Sequence, residues 1–305
     1  MFVWKSPSLS DLNDIRNAAE VNNQLGNEMS AANLFLYRNK YETQIAFFDN
    51  MLFRRYKIEN QICYGIPLVL GTENKEKILD GIDLLISENL ENPSIVFAYV
   101  YESDLELLKS KYQHRVKETL QENAFDYIYL RENLAVLEGA NYKKKRNHIS
   151  RFLRSFPQAK FQMLSKENLH FVWEVEKLWV EAAKHQGEFS TSLEQEYFII
   201  KEALENFDSL NLSGGIVFVD EKPVAMTVAS SINSKIMDIH FEKAIMPYAF
   251  EGAYSFINCE FAKTQNSMLF NREEDLGIPG LKKAKLSYYP NKILRKWSLK
   301  IDFSS

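Results

Sequence analysis

Ile45-Ala-Phe-Phe-Asp49 and Ile216-Val-Phe-Val-Asp220 are two versions of one strand and turn, set 171 residues apart. At the same offset Gly81 meets Gly252, Ile86 meets Ile257, and Glu102-x-Asp104-Leu105 meets Glu273-x-Asp275-Leu276. A chain of 305 residues has room for two domains of ordinary size, so the offset points to a duplicated unit. Hydrophobic residues make up 46% of the chain, enough to give each copy a core of its own.

Working outward from each motif gives the same order of elements twice. In the first copy, Ser10-Asp-Leu-Asn-Asp14 predicts a helix start with a Ser cap. Thr43 to Phe48 and Met51 to Ile58 then alternate as strands across Asp49-Asn50, a hairpin turn. Gln61 to Leu70 is a third strand, and Lys75 to Asn89 is a helix by the spacing of its apolar residues. Pro93 ends that helix, and Ile95 to Tyr101 is a fourth strand. In the second copy, helices from Ser165 to Lys184 and from Leu193 to Asn206 come first. Strands Ile216–Val219, Val224–Ser230 and Ile236–Lys243 follow, then a helix Gly252–Thr264 and a strand Met268–Asn271. Alternating Trp297, Leu299, Ile301 and Phe303 predict a strand that closes the second copy. This order is that of the GNAT acyltransferase fold. The expected class is therefore α+β, a tandem GNAT whose two modules each have a mixed sheet flanked by helices. Expected boundaries are 1–135 and 161–305, with a basic linker helix over 136–160.

Bulk properties narrow the function classes. No segment approaches the ~18 consecutive apolar residues of a membrane helix. The first residues also lack a signal-peptide pattern, so a cytoplasmic protein with no integral membrane segment is expected. Cys63 and Cys259 lie far apart in apolar runs without metal-ligand spacing, which predicts buried free thiols and no metal site. Basic residues are segregated: residues 140–160 and 282–300 each hold seven Lys/Arg and no acid. Outside them, 23 basic residues face 41 acidic ones. Such a distribution suits a local anion site and argues against a general nucleic-acid coat or stable DNA binding.

The first basic run predicts a helix with Ile149, Phe152, Leu153 and Phe156 on its apolar face and Pro157 as its stop. Lys144, Asn147, Arg151 and Arg154 fall on one polar stripe, suited to gripping phosphates, with Arg146 and His148 beside it. A solvated linker face is the plainer alternative. In Asp238-Ile-His-Phe-Glu242, period-2 alternation puts Asp238, His240 and Glu242 on one side of a strand that lines the cleft in GNAT enzymes. His240 or Glu242 is a candidate base there, provided that side lines a cleft or faces water. Asn271-Arg272-Glu273-Glu274-Asp275 follows a strand end. Its acids Glu273 and Asp275 either act on substrate or pair with Lys283 or Lys285. Lys144, Arg151 and Lys285 are expected to face a common cleft that also receives Glu242 and Glu273.

CoA-using GNAT enzymes carry an Arg/Gln-x-x-Gly-x-Gly/Ala loop whose amides cradle pyrophosphate at a helix start. Here the corresponding stretch is Met246-Pro-Tyr-Ala-Phe-Glu-Gly-Ala253, with one glycine, no Arg or Gln, and the acidic Glu251. The first copy offers Leu70-Gly-Thr-Glu-Asn-Lys-Glu-Lys77, which is no better. No Walker loop, Rossmann fingerprint, metal spacing or Gly-x-Ser-x-Gly elbow is present.

Three stretches then resemble a known family. They are Asp126-Tyr-Ile-Tyr-Leu-Arg-Glu-Asn-Leu134 with Tyr142-Lys-Lys-Lys-Arg-Asn-His-Ile-Ser-Arg-Phe152, then Glu242-Lys243 with Gly252-Ala-Tyr and Ile257-Asn258. The third is Asn271-Arg-Glu-Glu-Asp-Leu-Gly-Ile-Pro-Gly-Leu281, running into Lys283-Ala-Lys-Leu-Ser-Tyr-Tyr-Pro290. Together they resemble the uncharacterised proteins grouped with the C-terminal catalytic domain of phosphatidylglycerol lysyltransferases. The resemblance implies a tandem-GNAT fold and, for the lysyltransferases, transfer of an amino acid from aminoacyl-tRNA to a phospholipid headgroup, with Asn258, Asn271 and Arg272 at the site. The leading expectation is transfer of an aminoacyl or acyl group to an amine or hydroxyl. The donor would be tRNA or a smaller phosphate-bearing carrier, with aminoacyl-tRNA favoured over acyl-CoA. A CoA-dependent N-acyltransferase and a non-catalytic anion-binding module are the alternatives.

Overall fold

The computed structural model describes residues 2–71, 76–185 and 190–303. Helices and strands are interspersed along the described residues. The first half runs α1 (Leu12–Val21), α2 (Ala31–Leu36), β1 (Gln44–Phe48), β2 (Met51–Ile58), β3 (Gln61–Tyr64) and β4 (Leu68–Val69). It continues through α3 (Glu76–Glu88), β5 (Ser94–Val100), α4 (Glu102–Tyr112), β6 (Val116–Leu120), β7 (Asp126–Leu130) and α5 (Arg131–Val136). After α6 (Lys143–Ser155) come β8 (Lys160–Met163), α7 (Leu169–His185), α8 (Thr191–Glu205), β9 (Leu212–Val219), β10 (Lys222–Ser231) and β11 (Ile236–Ala244). The last are α9 (Tyr248–Glu251), α10 (Ala253–Thr264), β12 (Leu269–Asn271), α11 (Pro279–Leu286), β13 (Lys292–Leu294) and β14 (Trp297–Asp302). Part of the first-copy loop, residues 72–75, lies outside the described residues.

The duplicated motif forms the same piece of sheet twice. β1 pairs antiparallel with β2, β2 with β3, and β3 runs parallel to β5 after α3. β9 pairs antiparallel with β10, β10 with β11, and β11 runs parallel to β12 after α10. Both hairpins turn on two residues with positive φ, Asp49-Asn50 and Asp220-Glu221. That geometry matches the right-handed twist of the flanking strands, and Asp and Asn tolerate it better than most residues. Pro223 sits inside β10, where a register shift against β9 accommodates its missing N–H.

Two compact units divide the chain. The first is Met1–Tyr127 with Glu273–Ala284 and Lys292–Ser305; the second is Ile128–Arg272 with Lys285–Asn291. The C-terminal strand corrects an expectation. β14 does not close the second copy but lies between β5 and β6, in a sheet ordered β1-β2-β3-β5-β14-β6 with β4 on β2. Its alternation was legible, yet alternation names a buried face without naming the sheet. Leu299 and Ile301 are buried in the core of the first unit with Phe53, Phe97 and Leu85. Each such burial stabilises by about 1.5–3 kcal/mol. In the second unit the order is β7-β12-β11-β10-β9-β8. Its core joins Phe152 of α6 to Val217, Val224, Ala244, Phe256 and Ile257.

Smaller differences have local causes. The capping serine is Ser8, not Ser10: its hydroxyl and amide both engage Asp11, which precedes α1. The third strand breaks at Gly65-Ile66-Pro67, because proline cannot donate to a ladder. Both cysteines are free and buried. Among the described residues no helix is long and apolar enough to cross a membrane.

Candidate functional site

The parallel pair β11 and β12 positions the polar residues of the second unit. Asp238, His240 and Glu242 alternate along β11, and Asn271 ends β12 opposite Asp238. Asp238 and His240 neither line an open cleft nor face water: both side chains are fully buried. The His240 Nε2 lies 2.8 Å from the Ser230 hydroxyl, and its Nδ1 lies 3.5 Å from an Asp238 oxygen. These partners offset the cost of burying the groups. Glu242, one alternation further on, meets side chains from α10 and from the turn after β12.

Arg272, just past β12, places Nη2 2.7 Å from Glu242 Oε1. Asn258, on α10, donates from Nδ2 to the other carboxylate oxygen at 3.2 Å. The guanidinium carbon of Arg272 is 4.8 Å from the centre of the Tyr288 ring and 5.8 Å from that of Tyr129. Burial opposes the Arg272 charge, but Glu242 and the two phenols outweigh it and hold the group firmly protonated. Lys285 donates from Nζ to the Arg272 carbonyl, which fixes the turn after β12. Two polar atoms beside this pair are buried with no hydrogen-bond partner among the described residues: Nη1 of Arg272 and Oδ1 of Asn258.

Lys145 completes the group. Its ammonium lies 3.6 Å from the centre of the Tyr288 ring, and the residue is buried. Burial, then repulsion from Arg272 and Lys144, lowers its pKa to about 8 despite Glu242. The Tyr288 hydroxyl lies 3.3 Å from Ser255 Oγ, which is 3.5 Å from His148 Nδ1. Burial and the neighbouring cations Lys145, Arg151 and Lys144 push the His148 pKa down. Sequence reading named the stripe on either side of Lys145 but missed Lys145, Ser255 and Tyr288. A signal was there: Lys145 stands four residues before Ile149 and seven before Phe152, on the apolar face where a cation is out of place.

The other sequence-chosen residues are distributed differently. Arg146 donates to the carbonyls of Leu137 and Gly139, bracing the entry to α6. Arg151 turns to the carbonyls of Phe250 and Glu251, and Lys144 and Asn147 are exposed. Glu273, Asp275 and Lys283 belong to the first unit. There Asp275 is buried, accepts from the Tyr127 hydroxyl and the Gly277 amide, and is not paired to a lysine in the bonds observed. Glu273 accepts from Asn33 at 2.9 Å, and Lys283 is exposed. The carboxylates of that unit surround Lys296, which lies 2.7 Å from Glu28 and 2.8 Å from Asp126. Burial, then Glu273 and Asp126, raises the neighbouring Glu274 to about 7 against the pull of Lys296.

Gly252, the cap of α10, has φ of +120°, and a Cβ there would come within 2.4 Å of the His148 carbonyl oxygen. The first turn of α10 is thus covered by α6, at the place where a CoA-using GNAT receives pyrophosphate.

Comparison with known proteins agrees with this architecture. The family model for the C-terminal part of phosphatidylglycerol lysyltransferase matches residues 20–300. A conserved protein of unknown function from Bacteroides thetaiotaomicron is 31% identical, with a TM-score of 0.90 over 99% of this chain and 100% of its own. The C-terminal domain of a putative lysylphosphatidylglycerol synthetase from Agrobacterium fabrum is 11% identical. It superposes with a TM-score of 0.66 over 97% of this chain and 93% of its own. An uncharacterized protein of Mycoplasmoides gallisepticum is 24% identical over 199 residues, 65% of this chain, and the match spans 62% of that relative's length. The fold is a tandem GNAT, an acyl- or aminoacyl-transferase fold in general terms.

Proposed function

The chain belongs to the family of phosphatidylglycerol lysyltransferase C-terminal domains, and on that premise we propose that its second unit transfers an aminoacyl or acyl group to an amine or hydroxyl. The observation that carries the proposal is the pair of unpartnered buried atoms on the two residues that hold Glu242. An acyl carbonyl needs a donor, which Nη1 of Arg272 supplies; an attacking N–H or O–H needs an acceptor, which Oδ1 of Asn258 supplies. Beside them Lys145, at a pKa of about 8, is neutral about one time in ten at pH 7 and serves as the base.

In the proposed step the nucleophile's lone pair forms the bond to the acyl carbon as its proton passes to Lys145 Nζ. The carbonyl oxygen takes the negative charge against Arg272, whose charge Glu242 keeps oriented. Collapse breaks the bond to the carrier, and the leaving oxygen recovers the proton from Lys145. Aminoacyl-tRNA is favoured over acyl-CoA as donor, because the start of α10 is closed by the His148 backbone and preceded by Glu251. Lys144 and Asn147, exposed on the turn that carries Lys145, are assigned to the carrier's phosphates.

Binding tests the donor assignment. Charged tRNA should bind in low salt and lose affinity steeply as salt rises, as multiple phosphate contacts require. Acetyl-CoA should show no comparable binding by calorimetry. Tight acetyl-CoA binding with no tRNA affinity would replace this reading with a CoA-dependent acyltransferase.

A further inference from the structure

We propose that a hollow beside the edge strand β8 of the second unit binds a small quaternary ammonium cation. The hollow shares no residue with the transfer site, and the assignment does not depend on that site being active.

The hollow has a volume of about 590 Å³, within the range of small-molecule sites. Its apolar lining is made of Phe161, Phe171 and Phe218, each only half-buried. Phe171 and Phe218 meet edge to face, with ring centres 4.9 Å apart and planes at 88°. His170 packs against Phe171, with ring centres 4.0 Å apart. Phe161 lies against β9 because Gly215 has no side chain there: a Cβ would come within 2.2 Å of its ring. Neighbours thus hold the three rings in place, and each leaves part of its surface to the hollow.

The rim is charged. Asp220 and Glu221, both exposed, form the positive-φ turn between β9 and β10, and Gln158 donates to an Asp220 oxygen at 2.7 Å. Lys160 is the one cation lining the hollow among the described residues, against these two carboxylates. A cation is attracted both by the negative faces of aromatic rings and by carboxylates, and an anion is repelled by both. Phenylalanine offers no oxygen to accept a hydrogen bond. A primary ammonium over these rings would leave N–H groups unpaired, whereas a quaternary ammonium has none and gives its methyl groups to the rings. A ligand that carries its own carboxylate or phosphate would bring it against Asp220 and Glu221. The ligand class is therefore a free choline-like cation.

Ligand-observed NMR titration of the full chain tests the assignment with choline, its neutral carbon isostere dimethylbutanol, glycine betaine and glycerophosphocholine. Choline should bind saturably and dimethylbutanol about tenfold more weakly. The two probes with an attached anion should also bind more weakly than choline. Phe218→Leu should weaken choline binding about fivefold. Asp220→Asn/Glu221→Gln should weaken it about fivefold and flatten its salt dependence, whereas Lys160→Gln should tighten it. The three rim positions are exposed, so circular dichroism of their variants should match wild type, and they test the assignment even if Phe218→Leu fails to fold. Absent choline binding, equal binding of dimethylbutanol, tighter binding of either anion-bearing probe, or choline affinity unchanged in the rim variants would overturn the assignment.

Discussion

The Lys145 ammonium rests 3.6 Å from the centre of the Tyr288 ring, so the one buried cation of α6 shares an aromatic surface with Arg272. Burial, and then the repulsion of Arg272 and Lys144 against a single carboxylate, depresses the lysine toward neutrality.

The first prediction follows from that depression. Between about 8 and the ordinary lysine value the unfolded chain holds the proton that folded Lys145 has released. Folding stability should therefore rise with pH across that window, and Lys145→Met should remove this component. Transfer should climb as pH passes 8 and then level. Lys145→Arg, charged throughout, should lose about 100-fold or more in kcat while the melting temperature near neutral pH stays close to wild type. Stability curves and rate–pH profiles of the three proteins check both statements.

The Glu242–Arg272 pair predicts an asymmetric mutational cycle. Removing only the carboxylate, as in Glu242→Ala, strands a mostly buried guanidinium and should cost about 3 kcal/mol. Replacing both residues, as in Glu242→Leu/Arg272→Met, should recover most of that stability while transfer stays abolished. Urea unfolding provides the energies. Equal losses from the single and double variants would remove the electrostatic explanation.

At Gly252 the backbone itself can be tested. With φ of +120° and the His148 carbonyl in the way, Gly252→Ala should destabilise by about 2 kcal/mol or more. Because that contact also closes the start of α10, wild type should bind acetyl-CoA no more tightly than the micromolar range. Calorimetry distinguishes this outcome from an open pyrophosphate site.

Strand β14 makes the first unit depend on the last residues of the chain. Leu299 is fully buried between β5 and β6, so Leu299→Ala should cost about 3 kcal/mol. Hydrogen exchange should show protection falling first in β5 and β6. Loss confined to the second unit would contradict the strand's placement.

The duplicated hairpins, the helix between parallel strands and the GNAT order were legible because each rests on local pattern: turn residues, period 2 and period 3.6. Placement of β14 was not, since strand pairing is nonlocal and its alternation suits either sheet. Within the candidate site, Glu242, Asn258 and Arg272 were found through the strand and the family resemblance. Lys145 was passed over because adjacent Lys143, Lys144 and Arg146 made it look like one more exposed cation, whereas its register set it on the buried face. Tyr288 lies far along the chain, and no local pattern announces that its ring will receive two cations.

The most direct measurement is the discharge of aminoacyl-tRNA carrying a labelled amino acid, followed with wild type, Lys145→Met and Arg272→Lys in the presence of amine and hydroxyl acceptors. The account predicts that wild type moves the label to an acceptor well above the spontaneous rate and that both variants lose this excess with their folds intact. A wild-type rate equal to spontaneous hydrolysis across charged tRNAs and acceptors, or full activity in both variants, would contradict it.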